Sequence, residues 1–287
     1  MKNEVSAMTT LHILCGPPAS GKSTWANWQS LPVVSTDAIR RELTGHVEDQ
    51  SMNQKVFEIA YQRVMALLLQ KEDVIYDATN VSYKARRGII ASARKCGQIS
   101  IVAHVFICPP DVLYERNAER SVHVPQDVIN RMIGGFKPPC EWEGIDSCYC
   151  HYADECYAYS LGQKVIEMEQ FGSQKSKWHT LSLIDHSRAV QRLMGGNEVG
   201  LLHDIGKLET ARWDEEKQTT HYIGHEGWGA YMALCGGRSL REAALIAWHM
   251  APYDGKYFDK MQGVMSKDFI RDLKLLNKAD KEAHGTC

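Results

Sequence analysis

Eight residues, Gly16-Pro-Pro-Ala-Ser-Gly-Lys-Ser23, constrain the fold of this chain more than any other part of its sequence. They follow the pattern Gly-x-x-x-x-Gly-Lys-Ser, in which backbone N–H groups surround a phosphate, the lysine reaches its oxygens and the serine hydroxyl ligates Mg²⁺. An apolar run at residues 11–15 precedes the pattern and a helix-compatible stretch at 24–29 follows it, as such a loop requires. The sequence therefore predicts a site for ATP or another NTP with Mg²⁺, formed by Gly16, Ser20, Gly21, Lys22, Ser23 and Thr24.

The hydrophobic pattern divides the chain into two parts of different character. Up to about residue 136, short apolar runs alternate with amphipathic stretches, which is typical of βαβ units on a parallel sheet. Strands are predicted at residues 11–15, 32–35, 74–76 and 99–107, and helices at 52–71 and 83–96. From residue 178 the strand signals fade, and helical patterns follow at 178–194 and 268–284. The predicted fold class is α/β with a parallel sheet, followed by an all-α domain.

Composition excludes several classes of protein. The 287 residues suit two domains, and 33 Lys and Arg against 35 Asp and Glu give a net charge of −2. A protein that coats nucleic acid through its phosphates would be basic, so any nucleic acid must bind at a local basic site. Nine cysteines without a framework spacing predict reduced thiols and a cytoplasmic location. The sequence contains no run of 18 apolar residues, so it predicts no membrane-spanning helix.

Polar residues follow the second and third predicted strands, where a parallel sheet binds its ligands. Asp37 is placed to act as general base on an acceptor hydroxyl, and Arg40, one helical turn later, to pair with a phosphate beside it. The alternative for Asp37 is a helix N-cap with a solvated arginine. Asp77, in the run Asp-Ala-Thr-Asn80, is a candidate Mg²⁺ ligand or the start of a turn.

Two arginines further along the chain are candidate ligands of the transferred phosphate. Arg116 and Arg120 lie on one helical face at a spacing of four residues. Phosphoryl transfer needs positive groups around the developing charge, and a mobile lid can supply them. The alternative is a solvated helix face on which Glu115 and Glu119 pair with the arginines.

Taken together, these residues resemble the kinase domain of bacteriophage-type 5′-hydroxyl polynucleotide kinases, over about residues 11–136. The resemblance implies a P-loop kinase domain with lid helices at residues 1–140, in which Lys22 and Ser23 bind ATP and Mg²⁺. By the same likeness Asp37 deprotonates the 5′-hydroxyl and Arg40 holds the first phosphodiester. Arg116 and Arg120 are then donor-phosphate contacts. This chain departs from the family in having Pro-Pro-Ala-Ser where the loop is usually rich in glycine.

Histidine and aspartate residues of the second part have the types and positions of metal ligands. His203 and Asp204 are adjacent in Leu-Leu-His-Asp-Ile-Gly-Lys207, and an imidazole and a carboxylate so placed can both bind metal. The remaining candidates in helical patterns are His179, His225, His249 and Asp280. Any one of these histidines alone fits a core position, but each buried imidazole would need its own partner.

The order His…His-Asp…Asp resembles the HD-domain metal-dependent phosphohydrolases, over about residues 175–285. The likeness implies that His179, His203, Asp204 and Asp280 bind the metal, with Asp204 in a catalytic role. His225 and His249 then match histidines that hold a second metal or a substrate phosphate. The likeness implies one or two divalent transition-metal ions at this site, which could be Mn²⁺, Ni²⁺, Co²⁺, Fe²⁺ or Zn²⁺. Lys207 is a candidate phosphate contact or a helix-dipole partner, and His186, seven residues after His179, lies on the same helix face.

The hypothesis that joins both parts is a bifunctional enzyme that repairs nucleic-acid ends. The kinase domain (1–140) would phosphorylate 5′-hydroxyl ends, and the HD-type domain (175–287), after a linker at 141–174, would remove a 2′,3′-cyclic phosphate or 3′-phosphate. Ribonucleolytic breaks leave those two ends, which favours RNA over DNA and places the protein before an RNA ligase. The alternative is a nucleoside or metabolite kinase fused to an HD nucleotidase or nucleotide-sensing module. Oligomeric state is not predicted.

Overall fold

A computed structural model of the protein describes residues 8–174 and 181–284, and its first part is built on a parallel sheet. The strands are β1 (Thr9–Cys15), β2 (Val33–Ser35), β3 (Val74–Asp77), β4 (Ile99–Ile107) and β5 (Ser147–Tyr152). Their order is β2-β3-β1-β4-β5, and every neighbouring pair is parallel. The carboxyl ends of β1, β2 and β3 therefore lie side by side, with the residues that follow them.

Helices connect these strands, as parallel pairing requires. They are α1 (Lys22–Asn27), α2 (Thr36–Thr44), α3 (Asn53–Leu69), α4 (Tyr83–Ala93) and α5 (Pro110–Ala118). α3 buries a stripe of residues spaced by four, Val56, Ala60, Val64 and Leu68, and packs against β1, β2 and β3. Ala26 of α1 packs with Leu14, Ile75 and Phe106 of three strands. The strands and helices predicted between residues 11 and 107 are confirmed, with ends shifted by a few residues.

The fifth strand corrects the prediction of a linker at residues 141–174. β5 pairs along its whole length with β4, so this segment extends the sheet. A fully buried ion pair fixes the residues just before it, because Arg86 of α4 donates to both carboxylate oxygens of Glu143 at 2.8 and 2.7 Å. Edge strands are half exposed, and β5 lacks the apolar run by which the buried strands were predicted. A helix, α7 (Leu161–Phe171), occupies part of the same predicted linker.

The second part is helical. Its helices are α6 (Gln126–Gly134), α7, α8 (Leu183–Leu193), α9 (Glu198–Leu202), α10 (Lys207–Thr210), α11 (His225–Cys235), α12 (Leu240–Trp248), α13 (Gly255–Gln262) and α14 (Lys267–His284). α11 buries ten of its eleven residues and packs on α12, so this pair forms the core. A short antiparallel hairpin, β6 (Arg212–Asp214) with β7 (Thr219–His221), interrupts the helices. The predicted fold class is confirmed, with this hairpin as an unpredicted addition.

The chain divides into two compact units. The first comprises Met1–Gln126 and Glu143–Ala153, and the second comprises Asp127–Trp142 and Asp154–Cys287. α6 therefore belongs to the helical unit from its second residue, although its sequence directly continues that of the sheet unit. Within the residues that the structure describes, no helix has both the length and the apolar character needed to cross a bilayer.

Candidate functional site

The loop between β1 and α1 has the backbone that a phosphate cradle needs. Ala19 and Gly21 both adopt positive φ, 64° and 97°. Gly16 has no room for a side chain, because a Cβ there would lie 2.7 Å from Ser20 Oγ and 2.9 Å from the carbonyl oxygen of Phe106. Two contacts hold the loop to the end of β3: Gly16 N–H donates to Thr79 O, and Asn80 Nδ2 donates to Leu14 O, both at 2.8 Å.

Lys22, Ser23 and Asp77 meet at this loop. Lys22 Nζ donates to Pro17 O at 2.7 Å, and Ser23 Oγ donates to Asp77 Oδ2 at 2.8 Å. Burial lowers the pKa of Lys22 to about 8 and raises that of Asp77 above its ordinary value. A serine hydroxyl beside a carboxylate offers oxygen ligands of the kind that Mg²⁺ prefers. The predicted nucleotide residues are thus together, although Thr24 is exposed on α1.

Asp37 and Arg40 form a hydrogen-bonded pair on α2. Ser35 caps this helix by accepting from the N–H of Ala38, so Asp37 is not the N-cap. Arg40 Nη1 donates to Asp37 Oδ1 at 2.7 Å, and its Nη2 donates to Asn53 Oδ1 at 3.0 Å. The Asp37 side chain is 58% exposed, whereas that of Arg40 is 7% exposed. Arg40 therefore orients the Asp37 carboxylate. The sequence predicted a phosphate contact for Arg40 but not this role.

The charges of Asp37 and Arg120 both influence the pKa of Lys22 in the phosphate loop. Asp37 opposes the lowering of the Lys22 pKa, and Arg120 adds to it. Arg116 lies in the last turn of α5, which ends at Ala118, so Arg120 lies just beyond the helix rather than on its face. The turn after α5 is closed by Asn117, whose side chain bonds the main chain of Val124 in both directions.

Three predicted histidine ligands of the helical unit surround the carboxylate of Asp204, and Asp280 lies beside one of them. Asp204 Oδ1 lies 3.4 Å from His225 Nε2 and 3.8 Å from His249 Nε2, while Oδ2 lies 3.4 Å from His203 Nε2. Asp280 Oδ1 lies 3.7 Å from the same His203 nitrogen. All five side chains are buried, and they come from four different segments of the chain. Asp204 thus faces His225 and His249 with Oδ1 and His203 with Oδ2.

A glycine makes the approach of Asp204 to His225 possible. A Cβ on Gly206 would lie 2.0 Å from His225 O and 2.5 Å from the amide nitrogen of Gly229. The backbone after Asp204 therefore lies directly against the first turn of α11. A larger residue at this position of the Leu-Leu-His-Asp-Ile-Gly-Lys string would push the two ligands apart.

Backbone contacts fix the tautomer of three of these imidazoles. His203, His225 and His249 each place Nδ1 2.7–2.8 Å from the carbonyl oxygen three residues earlier. A carbonyl only accepts, so each Nδ1 carries the proton and each Nε2 of the neutral ring presents a lone pair. His225 Nε2 and His249 Nε2 are 3.2 Å apart, a contact between two acceptors that a cation would stabilise. The donor set therefore fits a divalent transition metal.

Two further histidines join the cluster. His186 Nε2 lies 3.0 Å from Asp280 Oδ1 and 3.7 Å from Asp204 Oδ2. His284 stacks on His186 at 4.6 Å between ring centroids and lies 3.4 Å from Asp280 Oδ1. The prediction for His179 falls outside the described residues. The sequence predicted that His186 lies on the same helix face as His179. The signal that could have identified His284 is its position one helical turn after Asp280.

The electrostatics of this centre favour ionised carboxylates. Burial alone would raise the pKa of Asp204, but the Lys207 ammonium, 2.6 Å from Oδ2, and the imidazoles hold that pKa well below its usual range. Burial opposes the charge on His203, yet Asp204 and Asp280 raise its pKa. Burial lowers the pKa of His249 to about 3, which keeps it neutral. Neutral imidazoles and ionised carboxylates are the forms that bind a metal.

The sheet unit has known relatives. Residues 11–139 match the family model described as the AAA domain. This part of the chain has the fold of a P-loop kinase. The L-seryl-tRNA(Sec) kinase of Methanococcus maripaludis is 29% identical over 138 residues, which are 45% of this chain and 53% of that protein. The chain thus spans about half the length of the curated relative that it matches.

Solved structures also resemble part of the chain. A structure of the Pnkp1/Rnl/Hen1 RNA repair complex is 25% identical with a TM-score of 0.41, covering 46% of this chain and 45% of that one. A gluconokinase from Sinorhizobium meliloti 1021 is 17% identical with a TM-score of 0.35, covering 51% of this chain and 84% of that one.

Proposed function

We propose that the protein is a bifunctional enzyme that heals RNA ends. The sheet unit would transfer the γ-phosphoryl group of ATP to a 5′-hydroxyl. The helical unit would be an HD-type phosphohydrolase that removes a 2′,3′-cyclic phosphate or a 3′-phosphate. The observation that carries the proposal is that one chain holds both a phosphate loop with a neighbouring base and a buried centre of histidines and aspartates.

The kinase half follows from four groups around the phosphate loop. Lys22 would bind the β- and γ-phosphates, and Ser23 with Asp77 would hold Mg²⁺. Asp37 would accept the proton of the attacking hydroxyl, since it is exposed and held in place by Arg40. Arg120, whose charge lowers the pKa of Lys22, would stabilise the charge that develops on the transferred group.

The phosphohydrolase half follows from Asp204 and the residues around it. His186, His203 and Asp204 would hold one metal, and Asp204 with His225 and His249 would hold a second. Asp280, whose Oδ1 lies 3.0 Å from His186 Nε2, would complete the first set. A divalent ion bound there supplies hydroxide from water at neutral pH and neutralises charge on the phosphate. Imidazole together with carboxylate suits Mn²⁺, Ni²⁺, Co²⁺, Fe²⁺ and Zn²⁺.

The substrate class rests on the pairing of the two chemistries. Ribonucleolytic breaks leave a 5′-hydroxyl and a 2′,3′-cyclic phosphate, and a ligase requires the opposite pattern. A kinase and a phosphohydrolase in one chain correct both ends, which would supply an RNA ligase. The relative from Methanococcus maripaludis is named for an acceptor carried on tRNA, which also supports an RNA-linked hydroxyl.

The contacts of Arg40 favour a second candidate. Its guanidinium donates to Asp37 and Asn53, so the acceptor hydroxyl need not lie beside a phosphate. A nucleoside or another small metabolite could then be the acceptor, with the helical unit acting as an HD nucleotidase or as a nucleotide-sensing module.

Acceptor length separates the two candidates. Kinase activity would be measured with a nucleoside, its 3′-monophosphate and a short 5′-hydroxyl RNA, for the full chain and for Lys22→Ala and His203→Ala. End healing predicts a marked preference for the RNA, no kinase activity in Lys22→Ala and full kinase activity in His203→Ala. Equal use of the free nucleoside would favour the metabolite kinase. Loss of kinase activity in folded His203→Ala would contradict a two-site enzyme.

A further inference from the structure

Beside the candidate metal site, one buried side-chain amide has no hydrogen-bond partner among the residues that the structure describes. Gln174 is 1% exposed, and its Nε2 makes no hydrogen bond in the described part of the chain. A buried amide N–H₂ without a partner is energetically unfavourable, so native structures seldom leave one unpaired.

The orientation of this amide is determined by its neighbour. Lys207 Nζ lies 2.9 Å from Gln174 Oε1, and an ammonium only donates, so this atom is the oxygen. The nitrogen is therefore the atom without a partner. The same Nζ donates to Asp204 Oδ2 at 2.6 Å, so the Lys207 ammonium bridges the glutamine and the carboxylate that two groups of candidate metal ligands share.

The main chain of Gln174 is fixed as well. Tyr222 donates its hydroxyl to Gln174 O at 2.5 Å, and its ring lies 5.3 Å below Lys207 Nζ. Both Gln174 and Lys207 are buried, so their positions are set before any ligand arrives. Two donors, one cationic and one neutral, thus lie together at the edge of the centre.

We propose that Gln174 and Lys207 form an anion subsite that binds a non-bridging oxygen of the substrate phosphate. The inference rests on the proposed phosphohydrolase and names the residue that positions its substrate. Gln174 Nε2 would donate to the phosphate oxygen, while its Oε1 keeps Lys207 oriented. Gln174 would thus be a specificity residue for a phosphate group rather than a metal ligand.

The test uses inorganic phosphate as the probe on the full-length, Mn²⁺-loaded protein. Calorimetry would give the Kd for phosphate, and elemental analysis would give the metal content. Gln174→Leu should weaken phosphate binding about tenfold, the value of one hydrogen bond to a charged group. Gln174→Glu, which keeps the shape and the bond to Lys207, should weaken it further, because it places an anionic oxygen against the phosphate. Metal content should not change in either variant.

Gln163→Leu is the matched control, since Gln163 is exposed on α7 of the same unit. Phosphate binding unchanged in folded Gln174→Leu and Gln174→Glu would overturn the subsite while leaving the metal centre in place. Wild-type protein that holds metal but binds no phosphate would also overturn it. Wild-type protein that holds no metal would instead contradict the proposed phosphohydrolase, and phosphate binding that still depends on Gln174 would then support the subsite alone.

Discussion

At the scale of single residues, backbone contacts orient the clustered histidines of the helical unit, which are candidate metal ligands. Nδ1 of His203, His225 and His249 each binds a carbonyl oxygen three residues earlier, so the position of the ring follows from the local chain. Two of these histidines are the C-cap residues of α9 and α12, so each ring binds a carbonyl oxygen in the last turn of its own helix. The sequence predicted these residue types, but the distances that join them depend on the packing of distant helices.

Removal of one ligand should therefore remove metal from the protein. His203→Ala and His186→Ala should each lower the bound metal by about one ion per chain, because a missing ligand leaves three protein donors or fewer at that position. Elemental analysis of the purified protein measures this. His221→Ala is the control, since His221 lies on β7 and is 42% exposed. Unchanged metal content in His186→Ala would contradict the place given to that residue.

At the scale of elements, the buried strands were predictable and the edge strand was not. β1 and β4 have long apolar runs, which identify them in the sequence. β5 alternates Cys148 and Cys150 with Tyr149 and His151, and nothing in that composition distinguishes a strand from a linker. Its place is fixed by pairing with β4 and by the ion pair of Arg86 with Glu143, both of which are tertiary contacts.

The ion pair before β5 should matter strongly for stability. Glu143→Ala would leave the fully buried guanidinium of Arg86 without its carboxylate, at a cost of about 3–5 kcal/mol. The free energy of unfolding in urea measures this. Glu141→Ala, two residues earlier and exposed, should change it by less than about 0.5 kcal/mol. A small effect of Glu143→Ala would show that the pair does not hold β5 in place.

Three histidines on β1, β4 and β5 make the sheet sensitive to acid. His104 lies 3.0 Å from a ring nitrogen of His12 and 2.9 Å from one of His151, beside Trp25 and Tyr149. Burial, with the two neighbouring imidazoles, lowers the pKa of His104 to about 3 from 6.5. Burial also lowers the pKa of His12, although the charge of Asp73 opposes this shift.

The folded-state pKa of His104 lies below the unfolded value, so the unfolded chain takes up the proton first. Stability should therefore be complete above about pH 6.5 and fall as the pH decreases toward 3. His104→Gln should reduce this dependence. Urea unfolding at pH 7 and at about pH 5 measures it, and an equal loss in the variant and the wild type would assign the dependence to other groups.

At the scale of the whole molecule, one chain joins a phosphate-loop unit to a helical unit with a histidine and aspartate centre. The sequence predicted both halves, because a short loop with strict spacing and a His-Asp pair remain recognisable without tertiary information. It did not predict that residues 127–142 belong to the helical unit or that residues 143–153 return to the sheet. Such exchanges depend on which surfaces pack together, and no local pattern encodes them.

The most direct test of the account is incubation of the full chain with a short RNA that carries a 5′-hydroxyl and a 2′,3′-cyclic phosphate. ATP with Mg²⁺ is supplied, together with Mn²⁺, Ni²⁺ or Co²⁺ in separate reactions, and mass spectrometry reads each end of the RNA. End healing predicts the gain of one phosphate at the 5′ end and the loss of the phosphate at the 3′ side. An RNA unchanged at both ends, while ATP is consumed with free nucleosides, would contradict it.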